Sequence, residues 1–98
     1  MAEDQEEVGG IVERAIVDLL ERRDPTSSIC PSDAARAAYT GEGDGWRALM
    51  EPTRQAAWRL AAAGVIEITQ GDRPVTPAEV RGPIRIRRVR QRRGPRPA

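Results

Sequence analysis

DGWRALMEPTRQAAWRLAAAG, residues 44–64, is the stretch on which the reading of the fold turns. At about 100° per residue, Leu49, Thr53, Ala56, Ala57, Leu60 and Ala63 fall on one side, which is therefore the side expected to be buried. Arg47, Arg54, Gln55, Trp58 and Ala62 fall opposite. An indole beside two guanidiniums on the face expected to be wet has the composition of a contact surface. Proline inside a helix costs about 3 kcal/mol, so a break at Glu51 is the cheaper arrangement. The expectation is a short helical turn over 46–50, capped by Asp44, and then a longer helix from Pro52 that stops at Gly64, a natural residue for a helix C-terminus.

Downstream of Gly64 the apolar period changes from 3.6 to 2. Residues 65–69 read as a strand, Gln70-Gly71-Asp72-Arg73 as a turn, and 74–76 as a short second strand. Ile84 to Arg87 then alternates Ile-Arg-Ile-Arg, which turns Ile84 and Ile86 to the core and Arg85 and Arg87 outward. Upstream, Val8, Ile11, Val12, Ala15, Ile16, Leu19 and Leu20 make the stripe of a helix over 11–23, ended by Asp24-Pro25. Residues 26–29 are a loop or a short extended piece. Pro31 opens an alanine-rich helix over 31–38 with Cys30 at its N-cap. The three glycines within 39–45 make a turn that is long for a tight helix-turn-helix.

Ninety-eight residues suggest one domain with a modest core, and three aromatics with many alanines fill it thinly. The formal net charge of +1 hides a separation of signs. Residues 1–50 carry eleven acids and five arginines, residues 51–98 four acids and eleven arginines. Lysine is absent, so every cation is a guanidinium, suited to bidentate contact with phosphate. GC-rich coding would also produce this arginine usage. Residues 1–10, with four acids and a Gly pair, are expected to be a disordered acidic leader, 11–89 the folded domain, and 90–98 a disordered Arg-rich tail. The lone Cys30 excludes an internal disulfide, and neither a signal peptide nor an apolar run of about 20 residues occurs. The expected location is cytoplasmic, away from membranes.

Helix, helix, helix and then a β-hairpin define the expected fold class: α+β, winged helix-turn-helix-like, with disordered termini. The combination of ICPSDAAR, WRALM, AAAGVIEITQG and RGPIRIR resembles a small bacterial family of winged-helix-like proteins known as a domain of unknown function. The resemblance covers residues 10–88. It implies the fold and, through the superfamily, a tendency toward nucleic acid, but no reaction and no site.

The chain holds no His and one Cys, which removes the commonest general base and any Cys-His zinc site. No cofactor, metal or small-molecule substrate is implied, and no catalytic residue is assigned. Gly41, Gly43 and Gly45 follow no strand and precede no GK[ST], against a phosphate loop. Cys30 reads more simply as a small buried residue than as a redox thiol. The expected function is therefore non-enzymatic nucleic-acid binding, DNA rather than RNA, in an accessory regulator of transcription. Arg47 and Arg54 are to reach phosphates or guanine edges, Gln55 an adenine, and Trp58 a sugar or unpaired base. A plainer assignment stacks Arg54 on Trp58 in a local cation–π pair. Arg73 marks the wing tip, Arg85 and Arg87 its outward face, and Arg88 and Arg90 begin an arm that attracts phosphate without regard to sequence. The alternative is a protein-interaction or homodimerisation module whose docking face centres on Trp58.

Overall fold

In a computed structural model, residues 2–89 are described, with side chains from Val8 onward. The tail that begins at Arg90 lies outside the described residues. The order of elements is α1 (Ala2–Glu21), β1 (Ser28–Ile29), α2 (Pro31–Ala38), a 3₁₀ segment (Gly45–Leu49), α3 (Met50–Ala62), β2 (Ile66–Gln70), β3 (Arg73–Pro74) and β4 (Arg85–Arg88).

The helix expected over 11–23 starts at Ala2 and stops at Glu21. The stretch read as a disordered leader is thus the beginning of α1. α2 begins at Pro31 as expected. Its N-terminal turn is closed by Asp33, whose Oδ2 accepts the Cys30 backbone N–H at 2.9 Å.

The break before α3 falls near the expected place. Gly45–Leu49 is the 3₁₀ turn, and α3 begins at Met50, so Pro52 lies in the first helical turn, where its missing N–H removes no internal bond. Asp44 makes no side-chain cap. Gly64 ends α3 with φ +81°, and the backbone bonds Val65 N–H to Leu60 O and Gly64 N–H to Ala61 O, each 3.0 Å, complete a Schellman closure.

The sheet has four antiparallel strands in the order β1-β4-β2-β3, more than the simple hairpin expected from the sequence. β2 and β3 are joined by Gly71 and Asp72, both with positive φ, as a two-residue hairpin turn of the primed type requires. The chain returns over residues 75–84 to β4, and Gln70 fastens this loop. Its Nε2 donates to the carbonyls of Arg81, Gly82 and Pro83 (2.9, 3.1 and 2.7 Å), and its Oε1 accepts the Arg81 N–H at 3.0 Å. β4 then fills the place between β2 and the short β1, with Ile86 opposite Ile68 on one side and Ile29 on the other.

One core results. Val12, Ile16 and Leu20 from α1, Ala34 from α2, Ala56 and Ala57 from α3 and Ile29, Ile66, Ile68, Ile84 and Ile86 from the sheet side form a single cluster. Thr53 is fully buried in α3 and its Oγ1 lacks a partner, an unsatisfied hydroxyl of a kind that costs on the order of 1–3 kcal/mol. The helices cover one face of the sheet; the opposite face carries Glu67, Thr69, Arg85 and Arg87, of which Thr69 is buried and Arg85 exposed. A three-helix layer with a short strand between its first and second helices, followed by a looped antiparallel wing, is a winged-helix-like α+β arrangement.

Candidate nucleic-acid interface

α3 follows α2 after the glycine turn and the 3₁₀ segment and carries the helix residues nominated from the sequence. Arg54 and Gln55 are exposed on it, as the helical spacing predicts. Both reach back to Glu51: Arg54 Nη1 lies 3.7 Å from its Oε1, and Gln55 Nε2 donates to its Oε2 over 3.4 Å. These are long contacts between side chains 48% and 69% exposed for the ion pair, and such pairs are worth roughly 0–1 kcal/mol.

Trp58 does not stand free on this face. It is half-buried and packs against the core cluster. The helical wheel misplaces it because α3 is covered from two sides, by the other helices and by β2, so its buried arc is wider than one stripe. Arg54 does not stack on Trp58, since its partner is Glu51. Arg59, on the flank of α3, pairs with Glu13 at 2.8 Å and lies against Gly9, which ties α3 to α1.

The cation–π contacts sit elsewhere. The guanidinium carbon of Arg47, in the 3₁₀ segment, is 4.9 Å from the centroid of the Trp46 ring, and that of Arg36, in the last turn of α2, is 4.4 Å from the same centroid. Arg36 and Trp46 are functional candidates that the sequence reading missed; the only signal was the side-by-side Trp46-Arg47 in WRALM. The glycine turn has a structural task here. A Cβ on Gly41 or Gly45 would meet the Tyr39 phenol, so with these glycines the chain closes round that ring without moving it; its hydroxyl donates to Glu42 O at 3.4 Å.

The wing arginines separate into two kinds. Arg73, in β3 beside the hairpin turn, is exposed and takes part in no ion pair among the described residues. Arg85 points outward as predicted but is engaged along β1: its Nε donates to Ser28 Oγ (2.9 Å), Nη2 to Ser28 O (3.1 Å) and Nη1 to Cys30 Sγ (2.7 Å). Arg87 lies opposite Glu67 and pairs with it at 2.8 Å, both side chains about three-quarters buried. Arg88 is no arm residue. It belongs to β4, is half-buried, and donates Nη2 at 3.0 Å to Leu20 O, a carbonyl in the last turn of α1 that also accepts the Arg23 N–H at 3.2 Å. Arg90 lies outside the described residues.

Arg85 and Arg87 alternate with Ile84 and Ile86, which face the helices, so their side of the sheet is turned away from α3. The nominated cations therefore do not share one surface. Arg47 packs on Trp46 in the 3₁₀ segment that leads into α3, Arg54 and Gln55 are early in α3, Arg73 is at the wing tip, and Arg85 and Arg87 are on the far side of the core.

Among the described residues no group of three His, Cys, Asp or Glu side chains is placed to hold a metal ion, and no helix is long and apolar enough to cross a membrane. The molecule is by its architecture a winged-helix-like domain. It belongs to the family described as "Protein of unknown function (DUF3253)", whose model matches residues 10–89. No curated protein matches the chain.

Proposed function

We propose that this is a cytoplasmic, non-enzymatic DNA-binding protein that acts as an accessory regulator, with α3 addressed to the duplex and the hairpin tip to the backbone beside it. The observation that carries this reading is the pair of exposed donors Arg54 and Gln55 on α3, held only by long, solvent-exposed contacts to Glu51. Released from Glu51, Arg54 has the bidentate donors that guanine or phosphate accepts, and Gln55 the donor and acceptor that adenine accepts. Arg73 adds a backbone contact from the wing. The groove geometry of B-DNA admits an α-helix, whereas the deep, narrow groove of duplex RNA does not, which favours DNA.

A protein-docking module centred on Trp58 has less support, because that indole packs on the core. Fluorescence anisotropy of a labelled random duplex, titrated with the full chain, tests the DNA reading. Log K is expected to fall linearly with log salt, each neutralised phosphate adding about −0.9 to the slope, and Arg54→Ala is expected to remove about one such contact. A response flat in salt refutes it.

A further inference from the structure

Two arginines from different elements share one indole. Arg36 from α2 and Arg47 from the 3₁₀ segment both lie over Trp46, and the turn that brings α2 and the 3₁₀ segment together is shaped by Gly41 and Gly45 closing round Tyr39. Both guanidiniums are exposed, and neither takes part in an ion pair or side-chain hydrogen bond among the described residues. This is unlike Arg59, Arg85, Arg87 and Arg88, whose donors are directed to Glu13, β1, Glu67 and Leu20.

A guanidinium whose carbon lies over an aromatic ring is attracted to it without using up its N–H donors. Stacking and in-plane hydrogen bonding use different parts of the group, so both are satisfied at once. Holding a long side chain this way lowers the rotamer entropy that a ligand would otherwise have to remove. The cluster also has a defined place. The 3₁₀ segment runs directly into α3, and the leading end of a recognition helix is the part that enters the groove and meets the flanking backbone.

From this we propose that Arg36, Trp46 and Arg47 form a pre-organised clamp for the phosphodiester backbone, which seats the nucleic acid at the leading end of α3. Arg36 and Arg47 donate to phosphate oxygens, and Trp46 is a positioning residue that holds both forks. The clamp rests on the DNA reading above and adds to it a phosphate contact made by α2, an element that reading leaves unused.

The test measures the salt slope of duplex binding by the full chain between about 50 and 200 mM salt, for wild type, Arg54→Ala and the double variant Arg36→Gln/Arg47→Gln. Loss of two phosphate contacts makes the double variant's slope shallower by about 1.8 and weakens binding at about 0.1 M salt on the order of fifty-fold. Trp46→Leu keeps both charges, so its slope stays near wild type while affinity falls several-fold; a merely structural Trp46 would shift the thermal midpoint and leave affinity unchanged. Arg36→Lys/Arg47→Lys guards against misfolding of the Gln variant, and is expected to retain the slope with reduced affinity. A double Gln variant with the wild-type slope, or a double Lys variant with wild-type affinity, overturns the clamp while a shallower Arg54→Ala slope leaves the DNA reading standing. Wild type without salt-dependent binding overturns both. Preference for a poly-Glu peptide over the duplex, lost in the same double variant, assigns the cluster to a protein partner and also overturns the clamp.

Discussion

Arg85, Arg87 and Arg88 on β4 and Arg36, Arg47 and Arg54 around the leading end of α3 are the same side chain in two settings. On β4 the donors go to Ser28, Cys30, Glu67 and Leu20 over 2.7–3.1 Å, joining the edge strand, the central strands and the end of α1. At the α3 end they meet an indole ring and one carboxylate at 3.7 Å. A count of arginines along the chain treats the two sets alike and weights the C-terminal half more heavily. Their surroundings reverse that weighting: the basic half uses its described β4 cations to hold the sheet together, and the acidic half supplies Arg36 and Arg47, two of the three at the α3 end.

The contrast is breakable by substitution. The largest effect is expected on the sheet side: Arg85→Ala/Arg88→Ala removes four hydrogen bonds and should lower stability by about 2–4 kcal/mol, read as a shift of the urea midpoint. Arg36→Gln/Arg47→Gln should cost less than about 1 kcal/mol in the same measurement, since exposed side chains without hydrogen-bond partners contribute little. Equal losses would erase the distinction. Next in size, Gly45→Ala forces a Cβ onto the Tyr39 ring and should destabilise by about 1–3 kcal/mol, seen as a lower thermal midpoint, and should weaken duplex binding because Trp46 is the next residue. The smallest effect separates the two ion pairs. A double-mutant cycle on Arg87 and Glu67 should give a coupling near the top of the usual range for surface pairs, about 1 kcal/mol, and one on Arg54 and Glu51 a few tenths at most.

Much of the fold was legible because it depends on local chemistry. Pro31 at the head of α2, Gly64 at the end of α3, the Gly71-Asp72 turn and the Ile-Arg alternation in β4 are each decided by a few neighbouring residues, and each lies where the pattern puts it. β1 was not legible as a strand, since two residues are too few to show a period and pair only because β4 arrives beside them. The early start of α1 was hidden by Gly9-Gly10, a pair that reads locally as a helix breaker.

The candidate site was less legible. Arg47, Arg54 and Gln55 were found from their spacing on one helical face. The partner of Arg47 was not, because the contact between Arg36 and Trp46 spans a glycine turn and no helical periodicity extends through it. The half-burial of Trp58 against the core cluster is a tertiary fact that a single-helix projection omits.

The most direct test of the account is the reactivity of each arginine toward an arginine-selective dicarbonyl, mapped by mass spectrometry on the full chain with and without duplex DNA at low salt. Arg36, Arg47 and Arg54 are expected to react freely alone and to be protected by DNA, while Arg85 and Arg87 react slowly in both states. Protection confined to Arg85 and Arg87, or no protection at the α3 end, would contradict it.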